Sequence, residues 1–447
     1  ITFINFVFIQ QHMRQYTLSF LFLIFSRFCF SQALYFPPNT GNNWDTLSPS
    51  ALNWCPTKID SLYAFLDSNN TKSFILLKNG KIVLEKYFGT HTQNSNWYWA
   101  SAGKTLTAFM VGIAQQENHL SLSDTSSNYL GLGWTNCSPT QEEKITIRNQ
   151  LTMTSGLDDA SGDPDCTIDT CLEFLANAGS RWAYHNAPYT LLDSVISQAT
   201  GMSLNSYFTQ KVKNPIGMNG FYFYQDYNNV FFSTARSMAR FGLLLLNEGN
   251  WNGNQILTDQ DYFTEMTSAS QSLNPAYGYL TWLNNTNQFM APYSQIVLNG
   301  RISPDAPSEM YAAMGKNGQF INIVQSEDLV WVRMGDAPVN DLVPFILNNE
   351  IWQHLNQLEC QSGGVFENEF LSELKLTPNP ASDYIEVNTA SPMANLRLED
   401  IHGNVIEQKA VQDTYSKLDL SDLEVGTYFL RLTLLNGVVL AKRFVKY

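Results

Sequence analysis

The sequence predicts an α/β (α+β) fold, in which an antiparallel sheet flanked by helices carries an inserted helical region and a small C-terminal β-sandwich follows. Two observations predict the larger part: β-like runs lie at both ends of a helical stretch, and Asn79-Gly80 joins the first two runs as in a tight hairpin. A third predicts the sandwich, because short alternating strands follow residue 364. The predicted strands of the larger part are 73–78, 81–88, 277–283, 307–314, 319–325 and 328–334, and its helices include 51–68 and about 187–200.

Length and charge limit the classes of function. A chain of 447 residues is long enough for two or three domains at the usual ~150 residues each. The net charge is −14 and no run of Lys and Arg occurs, which excludes an electrostatic nucleic-acid surface. Aromatic residues make up 13% of the chain, which is typical of folded protein.

The N-terminal 31 residues read as a secretory signal peptide. We expect translation to begin at Met13, followed by an apolar run over 18–25 and cleavage before Gln32. A membrane anchor is the alternative, but Arg27 interrupts the run, which falls short of the ~20 apolar residues that span a bilayer. We therefore expect export, a secreted or cell-surface location and no stable membrane span.

Export places the remaining cysteines where disulfides persist. Cys166 and Cys171 share one Gly/Asp/Pro loop and would close it locally, whereas Cys55 and Cys360 bracket one domain and would tie its ends. Cys137 would then stay free. Metal ligation is the competing use, but no Cys-x-x-Cys or His-Glu-x-x-His spacing occurs, so no metal site is expected.

The stretch 97–114 carries the main candidate for chemistry. Its apolar residues repeat at helical spacing, so Ser101 is expected at the first turn of a buried helix, with Lys104 on the same face. A buried ammonium without a carboxylate has a lowered pKa, so Lys104 would accept the serine proton. A solvated lysine is the alternative, since the same Ser-x-x-Lys spacing recurs at 372–375.

Tyr184 and Asn186 are the candidate polar groups facing the serine. A phenol can pass a proton near a cation, and a carboxamide can bond both a substrate amide and the lysine. Alternatively, Asn186 only caps the helix that Pro188 helps to start, and Tyr184 is a packed tyrosine. His185 is interpreted as structural or exposed.

Residues 309–320 predict a strand that opens into a glycine-punctuated turn. Such a strand edge beside the nucleophile would offer main-chain groups to an extended acyl substrate, and one N–H would complete an oxyanion hole with that of Ser101. A simple hairpin turn is the alternative.

Taken together, these segments resemble the serine β-lactamase-related superfamily, which includes class C β-lactamases, D-alanyl-D-alanine carboxypeptidases, esterases and amide hydrolases. The resemblance implies a β-lactamase/transpeptidase-like fold without a cofactor. It implies Ser101 as the acylated nucleophile, Lys104 as its base, Tyr184 as the proton relay and Asn186 as a contact to substrate and lysine. The matching segments, in chain order, are 101–104, 151–157, 184–186, 214–218 and 233–242.

The strand and turn over 309–320 depart from the family pattern at the motif that follows Ser-x-x-Lys and Tyr-x-Asn. Its first position usually holds a Lys or His that binds a substrate carboxylate, and this chain has Ala313-Met314-Gly315 there. The resemblance implies that Gly315 lines the substrate site and that the backbone N–H groups of Ser101 and Lys316 form the oxyanion hole. The missing cation argues against β-lactamase activity and favours an uncharged small-molecule or peptide-like ester or amide.

The C-terminal strands, with Pro378-Asn-Pro380, Gly426-Thr-Tyr428 and the terminal residues 443–447, resemble the C-terminal sorting domain of the type IX secretion system of Bacteroidetes. This implies the secretion machinery as a partner. A carbohydrate-binding sandwich is the competing interpretation, although no exposed row of aromatic residues supports it.

The sequence thus predicts an upstream segment and signal peptide over 1–31, a serine hydrolase domain over 32–365 and a sorting domain over 371–447. The predicted function is a secreted serine hydrolase that forms an acyl-enzyme. The alternative is a catalytically silent module, like a penicillin-binding protein, at the cell surface.

Overall fold

The computed structural model describes residues 34–337, 342–360, 374–435 and 439–447. The predicted signal peptide, Ser372 of the second Ser-x-x-Lys and the predicted Asn436-Gly437 turn lie outside the described residues. The chain divides into two units, Ile1–Cys360 and Gln361–Tyr447. Within the described ranges, no helix has the length and apolar character needed to cross a bilayer.

Some helices in the first unit begin where a side chain or a proline satisfies the first turn. Thr234 and Asp259 each accept a hydrogen bond from a backbone N–H three residues later, and Pro56 occupies the first helical position of its helix. The helices are α1 Pro56–Ser68, α2 Gly103–Gln116, α3 Ile147–Leu151, α4 Asn186–Thr200, α5 Leu204–Phe208, α6 Ala235–Leu246, α7 Gln260–Met266 and α8 Phe345–Leu355. Short helical turns cover Pro49–Leu52, Ala100–Ala102, Ser127–Leu130, Pro139–Glu142, Asp169–Cys171, Thr209–Lys213, Asn214–Ile216, Lys316–Gly318 and Gln325–Glu327.

The strands of this unit form one large antiparallel sheet and several small ones. They are β1 Thr71–Lys78, β2 Lys81–Tyr87, β3 Trp97–Tyr98, β4 Phe221–Gln225, β5 Asn228–Ser233, β6 Asn250–Trp251, β7 Asn254–Gln255, β8 Trp282–Leu283, β9 Gln288–Met290, β10 Val297–Asn299, β11 Tyr311–Gly315, β12 Gln319–Val324 and β13 Leu329–Gly335. The large sheet has the order β2-β1-β13-β12-β11-β8, so the first hairpin pairs with the last strand. A second sheet has the order β3-β5-β4, and β6–β7 and β9–β10 are hairpins. The predicted fold class is therefore confirmed.

Three predicted boundaries are wrong for local reasons. The predicted helix 51–68 begins only at Pro56, because Asn53 is left-handed and Cys55 is extended. The predicted strand 277–283 is reduced to β8, because the chain reverses at Leu280, which has a positive φ of 49°. The predicted strand 307–314 begins at Tyr311, after a turn in which the Met310 N–H donates to the carbonyl of residue 307.

Helices cover both faces of the large sheet. A Cβ on Gly242 of α6 would lie 2.6 Å from Val330 Cγ1, so glycine lets this helix approach the sheet closely. The neighbouring residue on β13, Trp331, points to the other face, where its ring packs 5.9 Å from that of Trp352 on α8. The sheet is therefore buried on both faces.

Two disulfides confirm the predicted pairings. Cys55 bonds to Cys360 and closes a separation of 305 residues, and Cys166 bonds to Cys171 within one loop. Cys137 is a free thiol.

The second unit is a small β-sandwich, as predicted. Its sheets have the orders β14-β15-β18 and β17-β16-β19-β20. Alternate residues of β19, such as Leu430 and Leu432, are buried in one apolar core, whereas Arg431 between them is exposed. The strands are β14 Lys375–Thr377, β15 Tyr384–Asn388, β16 Met393–Glu399, β17 Val405–Ala410, β18 Tyr415–Asp419, β19 Gly426–Leu434 and β20 Val439–Lys446.

Candidate active site

Ser101 lies in a fixed helical turn between β3 and α2. Two residues before it, Trp99 is fully buried: its backbone N–H donates to the carbonyl of Phe231, and its indole Nε1 donates to Ser233 Oγ at 2.9 Å. Ala100 then adopts a positive φ of 45°, a conformation unfavourable for a residue with a side chain. The tight turn places Ser101, which is half-buried, two residues before the first residue of α2.

Lys104 meets the serine one helical turn later. Its Nζ donates a hydrogen bond to Ser101 Oγ at 2.8 Å, and the residue is only 3% exposed. Every residue of α2 from Gly103 to Ala114 is buried, so the lysine cannot reach bulk water without unpacking the helix. The spacing thus brings the two groups together in the interior.

The surroundings of Lys104 favour its neutral form. Its Nζ lies 5.0 Å from the ring centroid of Tyr184 and 4.3 Å from that of Tyr189. Burial lowers the pKa of Lys104 to about 7, although the carboxylates of Asp165 and Asp193 both oppose the shift. A large fraction of the lysine is therefore unprotonated at neutral pH and can accept a proton.

Tyr184 reaches the same pocket from the segment before α4. The residue is 3% exposed, and its ring stacks on Trp282 with centroids 5.8 Å apart. Burial raises the pKa of Tyr184 well above its usual range, whereas hydrogen bonding with the Ser101 hydroxyl opposes that shift. Tyr184 is therefore a protonated phenol beside the serine, able to donate its proton.

Asn186 is oriented differently from its predicted role. Its Nδ2 donates to Asp165 Oδ1 at 2.7 Å and to the Tyr293 hydroxyl at 3.3 Å, and no hydrogen bond joins it to Lys104 in the described part of the chain. Its Oδ1 is buried without a hydrogen-bond partner among the described residues. That oxygen is the part of the carboxamide still free to accept a bond.

Gly315 ends β11 directly against the turn that carries Ser101. A Cβ at this position would lie 2.9 Å from the backbone nitrogen of Ser101 and 2.7 Å from the carbonyl oxygen of Trp99. Only glycine fits this close approach. The next residue, Lys316, has an exposed side chain, whereas Ala313, two residues before Gly315, is 1% exposed.

His185 is structural rather than exposed. It precedes α4, is 3% exposed, and burial lowers its pKa to about 4, so its imidazole is neutral. Its Nδ1 has no hydrogen-bond partner within the described ranges.

Sequence reasoning missed four residues of this site: Asp165, Tyr189, Asp193 and Tyr293. Asp193 had a signal, since a carboxylate interrupts the otherwise apolar face of a predicted helix. Tyr293 had none, because its contact with Asn186 joins residues 107 positions apart. In the described residues, no group of three or more His, Cys, Asp or Glu side chains is placed to hold a metal ion.

Comparisons with known proteins match two families along the chain. The family model for β-lactamase matches residues 71–333, and that for the secretion system C-terminal sorting domain matches residues 375–446. The second unit is therefore a sorting domain, which indicates export.

Two related proteins align with only part of this chain. An uncharacterised protein of Alkalihalophilus pseudofirmus is 25% identical over 301 residues, covering 58% of this chain and 82% of that protein. A provisionally named penicillin-binding protein of Bacillus subtilis is 27% identical over 167 residues, covering 34% of this chain and 41% of that protein. The second alignment spans less than half of the relative.

Solved structures show the same fold. A provisionally named 6-aminohexanoate-dimer hydrolase from Bacillus anthracis superposes with a TM-score of 0.54 at 20% identity, covering 73% of this chain and 91% of that one. A penicillin-binding protein homologue from Caulobacter crescentus gives 0.52 at 12% identity, covering 68% and 98%. With a family model that matches more than half of its length, the chain belongs to the β-lactamase family.

Proposed function

We propose that the chain is an exported serine hydrolase that cleaves an ester or amide through an acyl-enzyme on Ser101. The observation that carries this proposal is the 2.8 Å contact between the buried Lys104 Nζ and the Oγ of the half-buried Ser101. A neutral amine at hydrogen-bond distance from a hydroxyl meets the geometric requirement for a general base.

The first step is acylation. Lys104 takes the Ser101 proton as Oγ bonds to the substrate carbonyl carbon, and the carbonyl electron pair moves to its oxygen. The backbone N–H groups of Ser101 and Lys316 would stabilise that oxyanion. The close approach of Gly315 to the Ser101 nitrogen supports this, since it brings the start of the following turn to the nucleophile.

The second step is loss of the leaving group. Tyr184 gives its proton to the leaving oxygen or nitrogen as the carbon bond to that atom breaks, and it recovers a proton from the Lys104 ammonium. Water then attacks the acyl carbon. Lys104 and Tyr184 transfer protons in the opposite direction, and Ser101 is released.

The substrate proposed is uncharged where it meets the end of β11. Ala313 occupies the place of the cation that would hold a carboxylate, so this part of the site has no positive side chain at that position. Small-molecule or peptide-like esters and amides fit such a site better than penicillins do.

The proposal assigns different functions to two parts of the chain. Residues 32–365 would form the hydrolase domain, and 371–447 would bind the type IX secretion machinery and lead to a secreted or cell-surface product. Deletion of 371–447 should then retain the enzyme inside the producing cell, as measured by fractionation and immunoblotting.

A fluorophosphonate probe tests the catalytic part directly. The full chain should be labelled, and Ser101→Ala should abolish the label. Ser372→Ala is the matched control, because Ser372 begins the other Ser-x-x-Lys and its loss should leave labelling intact. Absence of labelling in the folded wild-type chain would favour the catalytically silent binding module.

A further inference from the structure

Building on the proposed hydrolase, we infer that Asp193 is a positioning residue that supplies the buried countercharge for the ammonium formed on Lys104 when Ser101 loses its proton. Lys104 itself was predicted from the spacing of the motif. Asp193 lies outside every motif of the first unit and belongs to a different helix.

The packing of α2 against α4 brings together the helix faces that carry Lys104 and Asp193. Lys104 and Thr107 lie one turn apart on one face of α2, and Tyr189 and Asp193 lie one turn apart on one face of α4. The Tyr189 ring centroid is 4.3 Å from Lys104 Nζ. Asp193 therefore lies one helical turn beyond the aromatic ring that contacts the lysine.

Asp193 is a buried carboxyl group with few partners. It is 2% exposed, and Asn229 Nδ2 of β5 donates to its Oδ2 at 2.9 Å. Its Oδ1 and the Asn229 Oδ1 are both buried without a hydrogen-bond partner among the described residues. Burial raises the pKa of Asp193 to about 7, against the opposing effects of Asn229, Lys104 and Thr107.

A purely structural role does not account for this residue. An asparagine at position 193 would accept the same bond from Asn229 and would offer an additional donor to a site with two unpaired oxygens. A buried carboxylate is costly compared with an amide of the same shape. A carboxylate at position 193 has an advantage over an amide only if its negative charge stabilises a neighbouring positive charge. Lys104 is the group that gains positive charge during catalysis.

The other side chains around Lys104 and Asp193 do not supply this negative countercharge. Tyr189, Tyr222 and Tyr224 face Asp193, and burial raises the pKa of each above its usual value, so all three stay neutral at pH 7. Asp165 also attracts the Lys104 proton, but it is only half-buried and is screened by water. Asp193 is thus the fully buried acidic group that, when ionised, acts on the lysine.

The charge balance of the step is simple. The Ser101 O–H bond breaks, the Oγ–carbon bond forms, the proton moves to Lys104 Nζ, and the carbonyl pair becomes the oxyanion. Asp193 neither takes nor gives a proton in this step. Its ionised carboxylate stabilises the new ammonium through the dry interior and so makes Lys104 a stronger base.

The experiment compares the full-length wild type with Asp193→Asn. The rate of fluorophosphonate labelling of Ser101 is measured from pH 5 to pH 9. Without the carboxylate, the pH midpoint of labelling should fall by about one unit, and the alkaline plateau should fall about fivefold to tenfold because the lysine is a weaker base. The thermal midpoint of the variant at pH 7 should equal or exceed that of the wild type.

Two further variants keep the test informative. Asn229→Ala retains the carboxylate but removes its donor, which raises the pKa of Asp193 and should shift the midpoint in the same direction by less. Asp165→Asn should shift it less than Asp193→Asn does, because water screens that charge. An unchanged midpoint and plateau in Asp193→Asn would overturn the inference.

A second readout separates this inference from the proposed function. In full-length protein carrying ¹³Cε-lysine, the Lys104 signal, identified by its absence in Lys104→Arg, is titrated by NMR. A lower midpoint in Asp193→Asn supports the inference even if no probe labels Ser101, a result that would refute the hydrolase alone. The same midpoint in both proteins contradicts the inference whatever the labelling shows.

Discussion

The alpha carbon of Gly315 approaches the Ser101 backbone so closely that a Cβ atom there would lie 2.9 Å from the Ser101 nitrogen. The last residue of β11 and the turn that carries Ser101 are therefore packed backbone to backbone. This contact joins the large sheet to the segment before α2 at the position of the proposed oxyanion site.

Gly315→Ala should reduce kcat/KM about 100-fold or more, because the new methyl group pushes the two proposed oxyanion donors apart. Gly426→Ala is the control, since its Cβ would meet only ordinary contacts of 3.6 Å or longer. Hydrolysis of p-nitrophenyl esters by the two variants measures the difference. Wild-type kcat/KM in folded Gly315→Ala would rule out the proposed oxyanion site.

Lys104→Arg should lose activity by about 1000-fold or more, because a guanidinium stays protonated and cannot take the serine proton. The measurement is kcat/KM with the same esters, and circular dichroism checks that the variant is folded. Retention of most of the activity would show that another group is the base.

Lys104 should also make stability depend on pH. Its folded pKa of about 7 lies below its usual 10.5, so between these values the unfolded chain binds more protons at this group and stability rises with pH. Lys104→Met removes this penalty and should be more stable than the wild type by up to about 4 kcal/mol at pH 7, with a smaller gain toward pH 10. Thermal unfolding across that range measures the gain; a gain that grows with pH would contradict the depressed pKa.

Tyr184→Phe should impair amide hydrolysis far more than hydrolysis of p-nitrophenyl esters. An amine leaving group needs a proton and should lose about 1000-fold in rate, whereas p-nitrophenolate leaves without one and should lose about tenfold. Tyr189→Phe is the matched control, because it keeps a ring beside Lys104 and removes an equally buried hydroxyl. Equal losses on both substrates in Tyr184→Phe would argue against the proton relay.

Local pattern was enough to predict some parts of this protein. The Asn79-Gly80 hairpin and the helix behind Ser101 depend on neighbouring residues, and both formed as expected. The contact between Lys104 and Ser101 follows from the helical repeat alone. The segment 277–283 shows the limit, since its β-like composition could not reveal the reversal at Leu280.

Local sequence patterns could not predict contacts between segments that are distant along the chain. Asp193 meets Asn229 only because α4 packs against β5, and Asn186 turns toward Asp165 because the loop between α3 and α4 brings Asp165 beside it. A buried carboxylate is stable only in a tertiary environment, which spacing along the chain does not describe.

The most direct test of the central claim is the pH dependence of covalent labelling at Ser101, with the site located by peptide mass spectrometry. A neutral Lys104 with a pKa of about 7 should give one adduct, on the peptide containing Ser101, and a labelling rate that falls about tenfold per pH unit below pH 7. No adduct on that peptide, or a rate that rises only near pH 10, would contradict it.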